Sequence, residues 1–578
     1  MGAVAAFVGS GSACASGAGG FSGVRRCGFL ATPTHASVFS ASARQGSWGR
    51  VRRGVVTTMG ADGSYKYVVI GGGNAAGYAA WEFVKQGVGK NEVCIVSREE
   101  VAPYERPALS KAFLFKDVRL PGFHTCVGGG GERQQPEWYA EHGIDLMLNT
   151  EVAKANLTAG TKTIETKDGK SISAENVILA TGASPIFLTK LDGADLNGIF
   201  YLRENADALK LAEALKANAG KTVVVVGGGY IGMEVGAAAQ LMGLKVKLVF
   251  PEEHVMPRLF TPALAQYYEK FYQSKGIELL KNGRLCSAFL PDAENKGVRG
   301  ILVCKDDTKE EISADMVVVG VGARPNTQLV GDQLEMENGG VKVDGNMQSS
   351  VPGVYAVGDI ASFGVKQFAG KRTRMEHVEH ARQSAAQAVK AAMGKSDAEY
   401  DYLPFFYSRV FDLSWVFYGD NVGECVVGGS GAPQIFAVWL EGGKVMGAFA
   451  ESAADDEVKR LKAAAKGFPK AVDEAKLTQL LADKSTPLTS LLDYSEYSVR
   501  DGAVEGAAGE HTKFWAERRR GKTCRSVDRE RIGARGGCRW GVGWSARNCG
   551  DNGVGRKDVC FARRRRRGDH CGVCRQWR

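Results

Sequence analysis

Two stretches of this chain repeat one order of residues, and that order constrains the fold more than anything else in it. In the first, the strand-forming run Tyr67-Val68-Val69-Ile70 passes straight into Gly71-Gly72-Gly73-Asn74-Ala75-Ala76-Gly77. A helical pattern follows from Tyr78 to Gln86, then an apolar run, Val93-Cys94-Ile95-Val96, closing on Ser97-Arg98-Glu99. In the second, Thr222-Val223-Val224-Val225-Val226 enters Gly227-Gly228-Gly229-Tyr230-Ile231-Gly232. A helix is expected from Met233 to Leu241, and Val246-Lys247-Leu248-Val249-Phe250 then leads to Pro251-Glu252. Strand, glycine turn, helix, strand, acid is the order a dinucleotide fold needs. Gly71 allows the tight turn, Gly73 lets the backbone approach a pyrophosphate that the helix N-terminus favours, and Ala76 is small enough for close packing. Glu99 can accept hydrogen bonds from an adenosine ribose. A carboxylate at Glu252 suits a free 2′-hydroxyl and repels a 2′-phosphate, so NADH is expected to be preferred and NADPH less favoured. Two such units imply two dinucleotides, a flavin and a nicotinamide.

The net charge of +10 on 578 residues is spread unevenly. Residues 1–60 carry six Arg and no acid, and residues 511–578 carry 20 Lys and Arg against 6 acids. Setting those aside from the totals of 74 and 64 leaves 48 cations and 58 acids in the body. The body is therefore acidic, and the basic whole-chain balance is no sign of a nucleic-acid partner. Of 13 cysteines, six lie in the basic tail, and Cys94, Cys126, Cys286, Cys304 and Cys425 are too scattered to form a disulfide framework.

Residues 1–61, rich in Ala, Gly and Ser with scattered Arg, match an organelle transit peptide, which points to chloroplast, mitochondrion or both. No apolar run reaches the roughly 18 residues of a membrane span. After Val177-Ile178-Leu179-Ala180, a further strand, the second unit closes at Met316-Val317-Val318-Val319. Val354-Tyr355-Ala356-Val357-Gly358-Asp359 reads as a strand ending in an acid, which can at the same time cap a helix before Ile360. From Tyr402 aromatic strands take over, with Gly442-Gly443 as a hairpin turn and a helix from Asp455 to Lys466. Residues 501–578 have neither helical nor strand period and read as disorder, or as a stretch translated out of frame. Cys571 and Cys574 lack a second pair, so no metal site is expected, and nothing sets an oligomeric state.

The expected architecture is α/β: two Rossmann-like dinucleotide-binding domains, for FAD and NAD, a small α+β C-terminal domain, and disordered ends. The FAD-binding domain would be discontinuous, residues 62–200 and 325–398, around an NAD-binding domain of 201–324, with the C-terminal domain at 399–500.

Several longer motifs are sharper than the glycine turns: Ala102-Pro103-Tyr104-Glu105-Arg106-Pro107-Ala108-Leu109-Ser110-Lys111, Pro121-Gly122-Phe123-His124, and Glu376-His377-Val378-Glu379-His380-Ala381-Arg382. With Asp401 to Arg409 and Phe417-Tyr418-Gly419-Asp420-Asn421, they make residues 63–500 resemble the plant monodehydroascorbate reductases, flavin-dependent pyridine-nucleotide oxidoreductases. The resemblance implies that FAD lies against Gly72, Gly73, Asn74 and Ala75, with Glu99 on the ribose. Arg106, Lys111, Leu202, Arg203, Asp359 and Val378 would complete that site. NADH would lie on Gly227, Gly228, Gly229, Tyr230, Ile231, Gly232 and Met233, with Glu252 and Arg258 at its adenosine end. Gly322, Glu376 and His377 would face the nicotinamide. Arg382 and Arg409 would hold the substrate, monodehydroascorbate, and Tyr407 would stand beside the flavin.

The implied reaction takes hydride from NADH onto FAD and passes single electrons to two monodehydroascorbate radicals. Disulfide reductases of this architecture carry a Cys-x4-Cys pair after the first unit; Pro103 to Lys111 has no cysteine, so no dithiol relay is expected. The alternative is an NADH-dependent ferredoxin-type reductase, and a more distant one is a flavoprotein of the apoptosis-inducing-factor type.

Overall fold

The computed structural model of the chain describes residues 63–483, apart from 117–118, 125–131, 159, 307 and 432–433. The leader, the basic tail and Cys126 lie outside the described residues.

The run from Tyr67 to Ile70 is buried throughout, which is what a parallel strand covered on both faces requires. Strand Ser64–Ile70 pairs in parallel with Val93–Val96 on one side and Ser171–Leu179 on the other. Ile144–Met147 extends the sheet beyond Val93–Val96, and Val354–Ala356 joins the far end of Ser171–Leu179, again in parallel. The alternating stretch after Glu151 supplies the antiparallel strands Val152–Asn156 and Lys162–Thr166. Helix Asn74–Lys85 packs against helix Val378–Ala392, so segments far apart in sequence cover one sheet. Within this helix the close contact that demands a small residue falls one place beyond Ala76. A Cβ on Gly77 would lie 2.1 Å from the Phe123 ring.

The second unit repeats the plan in the order Glu278–Leu280, Lys245–Val249, Thr222–Val226, Met316–Val319, Ile199–Tyr201, all parallel. Ile199–Tyr201 thus pairs in the second sheet although it precedes the second glycine turn. A three-stranded antiparallel layer, Leu285–Pro291, Val298–Lys305 and Thr308–Ser313, completes this half.

The aromatic strands form a five-stranded antiparallel sheet from Phe405–Val410 to Glu424–Gly431, with Lys470–Ala471 paired to the start of its central strand, Lys444–Glu451. Period-two alternation divides its side chains between two cores. Trp415, Phe417, Trp439 and Phe449 pack with Phe260, Leu264 and Tyr268 of the nucleotide half. Phe436, Val438, Leu440 and Ala448 pack with Leu461 and Ala465 of helix Asp455–Ala465 and Leu477 and Leu481 of helix Glu474–Ala482.

His380, on the buried face of helix Val378–Ala392, has 0% exposure, lies flat on Phe363 at 4.4 Å, and shares a hydrogen bond of 2.8 Å between Nδ1 and Tyr400 Oη. Burial pushes its pKa down from 6.5 to about 4. The unfolded chain therefore takes up a proton below about 6.5 that the folded chain refuses until about 4, so stability falls as pH drops through that window. One such group contributes about 1.4 kcal/mol per pH unit. Urea unfolding of His380→Gln between pH 6 and 5 should show a slope shallower than wild type by about that amount.

Candidate active site

The two glycine turns are built alike. Gly71 has φ +128° and Gly227 +122°, in the region closed to most side chains. A Cβ on Gly71 would lie 2.2 Å from the carbonyl oxygen of Ala180, and one on Gly227 2.3 Å from that of Gly320. Both carbonyls stand just past the neighbouring strand. The next glycines are alike too, since a Cβ would meet the residue just past the second strand, Ser97 at Gly72 and Phe250 at Gly228. The turns then diverge, with Arg106 3.5 Å from a Gly73 Cβ and open space at Gly229, while a Cβ on Gly232 would lie 2.0 Å from Gly227 O. Met233 is fully buried in the helix that follows.

A cavity of about 600 Å³ opens at the first turn. Gly72, Gly73, Asn74, Ala75, Glu99, Arg106, Lys111, Leu202, Arg203, Asp359 and Val378 all line it. The first residues of helices Asn74–Lys85 and Val378–Ala392 both reach its wall, which favours an anionic group there. Glu99 is held in place: Tyr104 Oη donates to its Oε2 at 2.8 Å, and Arg106 donates to Oε1. Tyr104 is fixed in turn by the Asn205 N–H at 2.7 Å. Across the cavity Arg203 pairs with Asp359 at 2.7 Å. Strand Val354–Ala356 ends before that acid, which sits in a 3-10 turn, Gly358–Ile360, and makes no side-chain cap there.

His377 caps helix Val378–Ala392, its Nδ1 accepting from the Glu379 N–H at 3.2 Å. Burial, with His380, Lys111 and Arg382 nearby, pushes it down to about 3. A neutral ring whose Nδ1 accepts carries its hydrogen on Nε2. His377 Nε2 and Arg203 Nε are buried, belong to residues of the cavity wall, and meet no hydrogen-bond partner among the described residues. Buried donors are rarely left unmatched, so this wall fits a ligand rich in acceptors.

Lys111 Nζ lies 2.8 Å from Glu234 Oε2, with side-chain exposures of 9% and 2%. Ser110 Oγ also donates to Oε2, and Ser408 Oγ donates to Oε1 at 2.6 Å. Sequence reasoning missed Glu234 and Ser408. An acid in the middle of the apolar Tyr230–Leu241 helix was the available signal. Tyr407 lines the cavity, with its ring centre 5.9 Å from Lys111 Nζ and 5.3 Å from His377.

From the nicotinamide set, Tyr230, Ile231, Glu376 and His377 reach this cavity; Gly227, Gly228, Gly229, Gly232, Met233, Glu252, Arg258 and Gly322 lie outside its lining. Glu252 is exposed past the end of strand Lys245–Val249, its carbonyl accepting from the Asn282 N–H at 3.2 Å. Arg258 is exposed, and its carbonyl accepts from Asn421 Nδ2 at 2.6 Å. Gly322 has φ +111°. Neither Arg382 nor Arg409 lines the cavity. Arg382 pairs with Glu379 at 3.1 Å and Glu105 at 3.3 Å and lies 4.9 Å over the Tyr78 ring. Glu105, also missed, is fully buried and accepts from Tyr78 Oη and the His124 N–H as well. Arg409 is exposed and makes no ion pair among the described residues.

No helix among the described residues is long and apolar enough to cross a membrane. The pattern of the pyridine nucleotide-disulphide oxidoreductase family matches residues 65–385, and that of the C-terminal domain of monodehydroascorbate reductase 3-like proteins matches 403–485. A monodehydroascorbate reductase of Solanum lycopersicum is 51% identical, covering 71% of this chain and 96% of its own length. One of Pisum sativum is 50% identical, over 72% and 97%. Peroxisomal monodehydroascorbate reductase 1 of Arabidopsis thaliana is 49% identical, over 71% and 96%. Among solved structures, a chain of the covalent putidaredoxin reductase–putidaredoxin complex aligns with a TM-score of 0.65 at 26% identity, over 75% of this chain and 99% of its own. A ferredoxin reductase from Rhodopseudomonas palustris gives 0.64 at 26%, over 74% and 100%.

These relatives correct the expected address. Those of Arabidopsis and Oryza sativa that name a compartment are peroxisomal, not plastid or mitochondrial. An Arg-bearing, acid-free leader is a property of composition that many segments share, and composition does not specify a compartment. The chain belongs to the monodehydroascorbate reductases, within the pyridine nucleotide-disulphide oxidoreductase family.

Proposed function

We propose that the chain reduces monodehydroascorbate with electrons from NADH by way of FAD held in the 600 Å³ cavity. The observation that carries this reading is the meeting, on one cavity wall, of the first glycine turn, Tyr230 and Ile231 from the second, and Tyr407 from the C-terminal sheet. On this reading Tyr230 and Ile231 bring the donor side, and Tyr407 the acceptor side, to the flavin cradle, with no cysteine between Pro103 and Lys111 to interpose. Bound FAD supplies the redox chemistry: one NADH and one proton, with two monodehydroascorbate radicals, give NAD⁺ and two ascorbates.

The protein supplies orientation and charge. Glu99, fixed by Tyr104 and Arg106, takes the adenosine ribose. Gly72 to Ala75 and Arg106 hold the pyrophosphate end; Leu202, Arg203, Asp359 and Val378 close the site, and Lys111 faces the reacting end. The neutral His377 donates from Nε2 and moves no proton at working pH. Gly227 to Met233, Gly322 and Glu376 receive NADH, with Glu252 and Arg258 at its adenosine. Arg409 and Arg382 orient the anionic acceptor, and Tyr407 stands beside the flavin. On this reading the FAD-binding domain comprises the first sheet with its two helices, and the NAD-binding domain the second sheet with its antiparallel layer.

The ferredoxin-type alternative has one observation in its favour, the fold shared with ferredoxin-type reductases at 26% identity. The 51% identity to a monodehydroascorbate reductase and the matched C-terminal pattern outweigh it. Stopped-flow mixing decides: monodehydroascorbate reoxidises the NADH-reduced enzyme, and failure to do so rejects the proposal. Arg409→Ala should raise the acceptor KM about tenfold, equivalent to about 1.4 kcal/mol, with NADH KM within about twofold. Glu252→Ala should narrow the preference for NADH over NADPH by about tenfold in kcat/KM.

A further inference from the structure

Strand Phe405–Val410 presents successive side chains to opposite faces, and two neighbours on it reach different partners. Tyr407 lines the cofactor cavity. Ser408 is 1% exposed and turns toward the nucleotide half, where its Oγ donates to Glu234 Oε1 at 2.6 Å. The other oxygen of that carboxylate accepts from Ser110 Oγ and from Lys111 Nζ at 2.8 Å. Ser110, Lys111 and Glu234 all stand on the cavity wall. A carboxylate rotates easily about its terminal bond, because that torsion has broad wells. Donors on Oε2 alone leave this rotation open; a third donor on Oε1, from a different part of the molecule, fixes the plane.

We infer that Ser408 is a positioning residue for the reaction: its hydroxyl orients Glu234, and through it sets the Lys111 ammonium against the cofactor cavity, in register with Tyr407 on the same strand. The inference rests on the proposal that FAD fills that cavity. A preorganised Lys111 ammonium there would stabilise negative charge on a flavin held in the cavity, and such stabilisation depends on placement to a fraction of an ångström. The plainer alternative is that Ser408 is a buried hydroxyl satisfied by the nearest acceptor, contributing to packing against Trp415, its cross-strand neighbour, and nothing more.

The experiment compares purified holoenzymes of wild type, Ser408→Ala and Ser408→Thr in three measurements: the long-wavelength absorption band of bound flavin, the rate and NADH-concentration dependence of flavin reduction, and the thermal midpoint. In Ser408→Ala the band should shift and the reduction rate fall roughly tenfold, with the NADH concentration for half-maximal rate unchanged. Ser408→Thr, which keeps the donor, should restore band and rate even where its extra methyl lowers the midpoint. An unchanged band and rate in Ser408→Ala, with only a lower midpoint, would leave Ser408 a packing residue and overturn the inference. So would Ala and Thr variants that lose rate equally. Should Ser408→Ala fail to fold, Ser408→Cys, a weak donor of similar size, takes its place under the same criteria. A wild-type flavin that NADH does not reduce would instead reject the cavity assignment, a result distinct from any pattern among the variants.

Discussion

The Lys111–Glu234 pair is the interaction on which the arrangement of this molecule depends. Its members come from the loop after the first dinucleotide unit and from the helix that opens the second, and both are almost entirely out of water. Desolvation offsets much of the attraction in such a pair, so its net contribution to stability is small. Removing one partner is another matter: the remaining charge is buried and uncompensated, at a cost of about 3–5 kcal/mol. That asymmetry penalises any packing in which the two halves slide past one another. Ser408 extends the constraint to the C-terminal sheet. A strand shifted by one residue would turn Tyr407 away from the cavity and Ser408 away from Glu234 together.

Around this joint the two dinucleotide units obey the same local rule and then part company. At Gly71 and Gly227 the backbone must pass a carbonyl of the adjacent strand closely enough to exclude a Cβ. Further along, the first unit spends its small residue at Gly77, against Phe123, and the second at Gly232, against its own turn. The first turn is covered by Arg106, whose side chain lies 3.5 Å from where a Gly73 Cβ would be. The second leaves Gly229 open.

How much of this could be read in advance follows the range of the interactions. Strand-turn-helix order is local, and the strands of both glycine-turn units, Ser64–Ile70, Val93–Val96, Thr222–Val226 and Lys245–Val249, fold close to where the sequence puts them. Helices Asn205–Ala217 and Pro262–Ser274 and the antiparallel layer at 285–313 carried no such signal. Val354–Ala356 ended early because a 3-10 turn at Gly358 replaces the last strand residues. The polar network was less legible. Ser110 and Glu234 meet across 124 positions, Ser408 and Glu234 across 174, and Arg382 and Glu105 across 277. No periodicity links residues so far apart. Glu105 looked like one letter of a motif and proves to be a buried acid joining helix Asn74–Lys85, the His124 loop and Arg382.

That last contact bears on how the acceptor side handles charge. Arg382 and Arg409 look equivalent in sequence, two guanidiniums suited to a small anion. In the fold they differ: Arg382 faces two carboxylates, one of them fully buried, while Arg409 is exposed and makes no ion pair among the described residues. A guanidinium already matched by two acids offers geometry, its remaining N–H groups in a fixed plane, and little net attraction. An exposed one offers attraction with little geometry, screened by salt over about 8 Å at physiological ionic strength. For a reaction whose substrate and product are both small anions, two strongly attracting cations would hold the product as firmly as the substrate. Binding energy realised in the ground state as fully as in the transition state does not speed the chemical step. On the proposed acceptor site, one cation draws the anion in and one compensated cation orients it, so that the two demands are met separately and the selective element is Arg382 with its acids rather than the more conspicuous Arg409.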